Sequence, residues 1–384
     1  MKKRVLIFTV IFIINIIMFT GCWDYREIDN LSIVAGVAVD KNEQGQYVLT
    51  VEVVDMHEGG KDVKVKSKLL EVKGDTFFDA ARNIIKITAP KLYWGHTEIV
   101  IFSQDVAKEG IVEVLDWLSR DAEPRLTIDL LVSKEDTAKE IFDTQSIISE
   151  VRSYEINDML KAQTNLSKAP KVKIYDFISA LSSEGVSAVL SAIKTADNKG
   201  EMTTEISGTA VFKGDKLIGF LDEDQTQNCL FVMNKIKGGA INIGKQPEGK
   251  IKNISLEIVS NKTKVKPVYS NGEISMNIDI KTETDIIEHG SEVDFVNEEG
   301  YLVLKEDAQK QLKSDIESAI RTVQQDFGVD IFGFGKTIKQ DMPDLWKKIG
   351  PDWGNIFRDL EVNINVDIEI KNSGRLGRAI RTGD

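Results

Sequence analysis

Residues 304–327 read LKEDAQKQLKSDIESAIRTVQQDF. Leu304, Ala308, Leu312, Ile316, Ile320, Val323 and Phe327 recur at spacings of four and three, and Lys, Glu, Gln and Asp dominate between them. That period predicts one amphipathic helix of about six turns. Strict heptads are absent, so the stripe is expected to lie on a sheet rather than in a coiled coil. Strand patterns surround it. Before it come ISLEIVS (254–260), KVKPVYS (264–270) and ISMNIDIKTETDI (274–286), with SNGE (270–273) as an Asn-Gly turn between the last two. After it, Leu360, Val362, Ile364, Val366, Ile368 and Ile370 alternate with polar residues, the signature of a long half-buried strand. A shorter helix is expected from DMPDLWKKIG, with Pro343 in its first turn. One long helix among strands places the C-terminal region in the α+β class.

The N-terminal half mixes the two element types in alternation. LSIVAGVAVD (31–40) and YVLTVEVVD (47–55) read as a hairpin-like pair around KNEQGQ. TFFDAARNIIKI (76–87) places Phe77, Ala80, Ala81, Ile84 and Ile85 on one helical face, and Pro90 stops it. HTEIVIF (96–102) reads as a strand buried on both faces, GIVEVLDWLSR as a short helix and RLTIDLLVS as another strand. Helices are expected through KEDTAKEIF and from Ile147 to Asn165. Residues 22–198 therefore read as a mixed α/β domain. The polar stretch KTADNKGEMTTE (194–205) reads as a linker. The expected units beyond it are a β-rich stretch at 206–262, with a hairpin around KGD (213–215), and an α+β subdomain at 263–375 carrying the helix 304–327.

The chain has 384 residues, enough for two or three domains. Its net charge of −12 argues against nucleic-acid binding and against electrostatic adhesion to anionic lipid. The three histidines, His57, His96 and His289, share no ligand spacing, so no metal site is expected. His96 reads as a hydrogen-bonded structural residue. GFGKT (333–337) ends like a phosphate loop, but Asp330 stands where that loop needs its first glycine. Gly333 and Gly335 read instead as a turn using positive φ. Ser191 and Lys194 fit S-x-x-K without its companion motifs. No catalytic constellation and no cofactor motif emerges, which favours an interaction protein over an enzyme.

The N-terminus carries a different message. Lys2, Lys3 and Arg4 precede a run from Val5 to Phe19 in which only Thr9 and Asn15 are polar, and Thr20 and Gly21 are small. Those are the three regions of a secretory signal over residues 1–21. The run is shorter than the roughly 20 apolar residues of a membrane-spanning helix. Cys22 follows directly and is one of only two cysteines in the chain. Small residues before a Cys look like a bacterial lipobox, with cleavage between Gly21 and Cys22 and a diacylglycerol on the thiol; Phe19 departs from the usual Leu. Two acyl chains anchor stably where one is marginal. Cys229, within the apolar QNCLFVMNKI, reads as a buried inert thiol. Trp23 is suited to the headgroup level, and Asp24, Arg26 and Glu27 to solvent or to a partner.

Four blocks carry a resemblance: GCWDYREIDNLSIVAGVAVDK, HTEIVIFSQDVAKEGIVEVLDWLSRDAEPRLTIDLLVS, GTAVFKGDKLIGFL, and DIFGFGKTIKQDMPDLW with Trp353 and the terminal alternating strand. In this order they resemble the GerC-type spore germination lipoproteins, the C subunits of nutrient germinant receptors. The resemblance implies a non-enzymatic, multi-domain lipoprotein ectodomain held by diacylglycerol on Cys22 at the outer surface of the spore inner membrane. It implies partners as well, the polytopic A and B subunits. The alternative is a solute-binding lipoprotein of a transporter, which would need a cleft between two domains of similar α/β topology.

Overall fold

The computed structural model describes residues 31–59, 62–88, 91–244, 254–289 and 298–372, with 3–7, 9 and 12 near the N-terminus. The fold is α+β and is built on two sheets. Nine strands form the larger: β1 (Leu31–Lys41), β2 (Tyr47–Gly59), β3 (Asp62–Gly74), β4 (Lys91–Tyr93), β5 (Ile99–Phe102), β6 (Asp129–Ser133), β7 (Val189–Asn198), β8 (Glu201–Lys213) and β9 (Lys216–Leu221). Their order is β3-β2-β1-β5-β6-β7-β8-β9, with β4 beside the start of β1. The centre, β1-β5-β6-β7, is parallel, and an antiparallel hairpin extends it on each side. Parallel strands need crossovers and cover on both faces. Accordingly Ile99–Phe102 and Asp129–Ser133 are buried along their whole length.

The crossovers supply the helices: α1 (Phe77–Asn83), α2 (Gln104–Glu109), α3 (Val112–Arg120), α4 (Lys139–Phe142), α5 (Arg152–Ala162) and α6 (Ile174–Leu181). Thr76 caps α1 by accepting from the Asp79 N–H. Phe77, Ala80 and Ile84 of the expected face are buried, whereas Ile85 is exposed, because the helix tightens to a 3-10 turn over Ile84–Lys86. Two expected helices are shorter than their sequence pattern. Asp40 accepts from the N–H groups of Ala138 and Lys139 at 2.7 and 3.1 Å, so the first begins only at α4. Glu155 accepts from the N–H groups of Ile147 and Ile148, holding them as a turn outside α5.

The expected linker at 194–205 is a hairpin instead. β7 and β8 pair through Asn198 and Glu201 around Lys199 and Gly200, both at positive φ. That is a two-residue turn of the primed kind, and the threonines beside it are good strand formers, with Thr203 and Thr204 buried. The larger sheet thus runs on from residues 31–198 into β8 and β9.

The second sheet orders β10 (Ala240–Ile243), β11 (Ile254–Ser270), β12 (Glu273–His289) and β13 (Glu361–Asn372). The expected strands at 254–260 and 264–270 are one strand. Pro267, which has no N–H to donate, is tolerated because β10 covers only residues 254–257 of the outer edge. Asn271 and Gly272, both at positive φ, make the tight turn into β12. β13 pairs parallel to β12 from Glu361 to Asn372.

α7 (Glu223–Val232) carries the buried Cys229. The long helix α8 (Glu298–Thr322) continues as a π turn over Val323–Phe327 and packs on β13, β10 and α7. Leu304, Ala308, Leu312, Ile316, Ile320 and Val323 are buried as the stripe predicts, while Phe327 is partly buried. Each buried Leu or Ile contributes roughly 1.5–3 kcal/mol. Three short helices follow: α9 (Phe334–Asp341), α10 (Pro343–Ile349) and α11 (Trp353–Asp359). One apolar cluster runs through both sheets, from Val34 to Ile370.

Candidate functional site

Gly21, Cys22, Trp23, Asp24, Arg26 and Glu27 lie outside the described residues. The chain enters the described fold at Leu31, whose place in β1 is fixed by parallel pairing with Lys91 of β4. The candidate sites among the described residues are this end of the larger sheet, the segment around Asp330, and the clefts between elements.

A buried polar cluster stands where β1 and β2 meet α5. Glu52 accepts from the N–H groups of Arg152 and Ser153 at 2.8 and 2.7 Å, and from the Ser153 hydroxyl, so it closes the N-terminus of α5. Gly36 in β1 is required there, because a Cβ would collide with the Ser153 hydroxyl. Arg152 pairs with Glu155 at 2.8 Å, and its Nε and Nη2 have no partner. Burial pushes the Arg152 pKa down, against the pull of Glu155 and Glu52. Val151 and Tyr154 pack on Ile33, Ala35 and Val54. This apparatus sets the 147–151 turn rigidly against the start of β1.

Asp330 is the buried counterpart at the other junction. Its carboxylate accepts from the N–H groups of Phe332 at 3.0 Å, Gly333 at 2.8 Å and Gly335 at 2.8 Å, and from Trp353 Nε1 at 3.2 Å. The Asp330 side chain thus fills the nest of backbone donors that a phosphate would take in a phosphate loop. Burial pushes its pKa up to about 6 against those donors. Gly333 takes the expected positive φ; Gly335 does not, and is needed instead for its close approach to Gly185 and Trp353. The Ser187 N–H donates to the Asp330 carbonyl at 2.6 Å and the Lys336 N–H to the Gly185 carbonyl at 2.9 Å. Glu184 accepts from Trp346 Nε1 at 2.9 Å and pairs with Lys339 at 3.1 Å. The loop after α6 is therefore clamped to α9 and α10, so GFGKT is a joint between the two halves.

The remaining candidates carry no catalytic geometry. The Ser191 hydroxyl donates to the Pro170 carbonyl, and Lys194 pairs with Glu205 at 3.3 Å. His96 is exposed, with its ring against the edge of Tyr93, rather than held in a polar pocket. Cys229 is buried and its thiol pKa is pushed up by burial. No group of three His, Cys, Asp or Glu among the described residues could hold a metal. A cleft of about 340 Å³ carries Lys171, Lys173, Lys235 and Lys237 around Leu160 and Leu230. Another of about 280 Å³ lies between α7, β10 and α8, beside Lys168, which pairs with Asp224 at 2.7 Å. No helix among the described residues is long and apolar enough to cross a membrane.

Sequence reasoning saw Asp330 only as a defect in a phosphate loop and missed Glu52, Arg152 and Glu155. A lone acid in an alternating strand gives no sign of capping a helix 100 residues later.

Comparison with known proteins gives a consistent result. Residues 24–195 match the family described as "Spore germination protein N-terminal domain", and residues 207–374 match "Spore germination B3/ GerAC like, C-terminal". The chain is 24% identical to Spore germination protein KC of Bacillus subtilis (strain 168), over 98% of each chain. It is 26% identical to Spore germination protein B3 of the same organism, over 97% of this chain and 98% of that one. The crystal structure of the GerBC protein shares its fold, with a TM-score of 0.55 and 23% identity, covering 90% of this chain and 99% of that one. Both halves and nearly the full length agree: the chain belongs to the GerC-type family of spore germination proteins.

Proposed function

We propose that the protein is the lipid-anchored C subunit of a nutrient germinant receptor. In this reading Cys22 carries a diacylglycerol, with cleavage after Gly21, and holds the ectodomain on the outer surface of the spore inner membrane. The ectodomain docks on polytopic A and B subunits and performs no catalysis. The observation that carries the reading is the family match across residues 24–195 and 207–374, which begins two residues after Cys22 and the basic and apolar run that precedes it. The buried polar clusters support a scaffold role, since Glu52 and Asp330 each accept hydrogen bonds from donors of the fold itself, backbone N–H groups above all. A transporter's solute-binding lipoprotein would need two lobes of similar topology. A nine-stranded mixed sheet beside a four-stranded one does not fit that plan.

The test is affinity purification of a tagged copy from detergent-solubilised spore inner membranes, beside a Cys22→Ala version, with mass spectrometry of what copurifies. Recovery of A- and B-type subunits with the wild type, reduced with Cys22→Ala, is the expected result. Recovery of transporter permeases, or of nothing specific, would overturn the reading.

A further inference from the structure

The end of the larger sheet where β1 begins is apolar in a way that the rest of the fold does not require. On the α1 side, Ile85 and Ile87 are 54% and 56% exposed. They lie in the stretch that leads into β4, and the turn carrying Ile85 touches β3 and β4. Lys91 of β4 pairs with Leu31, so both isoleucines stand within a few residues of the first residue of β1. On the opposite side, Ile147 and Ile148 are 63% and 92% exposed. Loose chain does not explain this second pair, since both backbone N–H groups are held by Glu155, which is itself fixed by the buried Arg152. Next to them Val151 packs on Ile33 and Ala35 of β1. The Ser67 hydroxyl donates to the Glu150 carbonyl at 3.2 Å, so the exposed Val65, two residues away on the same face of β3, joins this side. Lys66 points to the other face, where Leu70 and Val72 meet the α1 core, and with Lys86 it adds exposed positive charge on that side.

Two rigid pairs of exposed isoleucines thus flank one spot on the sheet. That spot is where the chain arrives from Cys22, with only residues 23–30 between. Eight residues span at most about 29 Å when fully extended. The geometry points to a lipid bilayer as the surface this end rests on. Ile85, Ile87, Ile147 and Ile148 enter the headgroup–acyl boundary on either side of the anchor; the chain's net charge of −12 opposes adhesion as a whole, so Lys66 and Lys86 act only locally, on the headgroups beside them. Burying apolar side chains at the interface with lysines beside them is how peripheral proteins adhere. The ectodomain then stands on the membrane in one orientation, with the β1–β2 turn at the far end. β1 has eleven residues, so that turn is about 33 Å away. This deepens the proposed function and rests on Cys22 being the anchor.

The test uses the full-length protein in vesicles of phosphatidylethanolamine and phosphatidylglycerol. Single cysteines at Ile87→Cys, Ile148→Cys and, at the far turn, Glu43→Cys carry an environment-sensitive fluorophore; Cys229 is buried and does not compete. A lipid with a quencher on its acyl chain reports depth, and the mass of the N-terminal peptide from the same sample reports the state of Cys22. The expected result is quenching at 87 and 148 several-fold stronger than at 43. Labels at 87 and 148 as wet as the label at 43 overturn the proposal, whatever the mass shows. Shielding that arises only when polytopic membrane proteins are added also overturns it, in favour of a protein contact. Quenching at 87 and 148 that persists in a Cys22→Ala background, where no second accessible thiol takes the label, upholds the lipid-facing end and removes the anchor.

Discussion

Asp330→Ala isolates the joint between the two halves. The substitution leaves the N–H groups of Phe332, Gly333 and Gly335 and the Trp353 indole N–H without an acceptor, all in a buried site. A buried donor stripped of its partner costs about 1–3 kcal/mol, and removing a buried charge from its donors typically costs about 3–5 kcal/mol in total. We expect a loss of about 3–5 kcal/mol for Asp330→Ala. Asp330→Asn keeps one carbonyl oxygen, and its amide turns a donor toward Gly335 and Trp353, so about 1–3 kcal/mol is expected. Urea unfolding at pH 7, followed by tryptophan fluorescence, reads both, since Trp346 and Trp353 lie 5.5 Å apart beside the carboxylate. The pH dependence has a defined sign. A carboxyl whose folded pKa is raised, here from 3.8 to about 6, binds its proton more tightly when folded. Its contribution is therefore present below about pH 4 and falls as pH rises toward about 6, by at most about 3 kcal/mol. The difference in stability between wild type and Asp330→Asn should shift in that window. An alanine variant within about 0.5 kcal/mol of wild type, with no difference in pH profile, would refute the reasoning.

Three further outcomes follow from other sites. Gly185→Ala places a Cβ 2.5 Å from the Gly335 carbonyl carbon at φ +70, and should cost about 2–4 kcal/mol in the same urea assay; a neutral result would mean that the loop is not clamped. Glu52→Ala should lower hydrogen-exchange protection across Arg152–Ala162 more than in β5 or β6, with a stability loss of about 3 kcal/mol; uniform protection would show that the cap is dispensable. Cys229 should resist thiol reagents at pH 8 in the folded protein and react only at the rate of opening, because burial raises its pKa; rapid stoichiometric labelling of native protein contradicts the burial.

Much of the architecture was legible from local patterns. The 304–327 stripe is long enough to exclude a strand, and the turns Asn271-Gly272 and Gly214-Asp215 name their own hairpins. β3 was not legible, since VKVKSK alternates lysine with small or apolar residues as an edge strand does, and lysines on an edge look like solvated loop. The 194–205 hairpin was misread for the same reason: polar threonines pair well in a strand but carry no apolar signal. At the sites the limit is distance in sequence. Glu52 and Arg152 meet across 100 residues, and Glu184 and Trp346 across 162. Neither partner announces the other.

The position of β13 has a consequence for the order in which the protein can be made. The larger sheet has all its strands once residue 221 has been synthesised. The smaller one does not, because β12 waits for a neighbour that ends at Asn372, the last strand among the described residues. Until then β11 and β12 form a hairpin of two seventeen-residue strands with the long edge of β12 unpaired and the stripe of α8 still uncovered on that side. Non-local pairing of this kind closes slowly, and open strand edges recruit other chains. A truncation between residues 290 and 360 should therefore leave the first sheet folded and turn the second into a seed for aggregation.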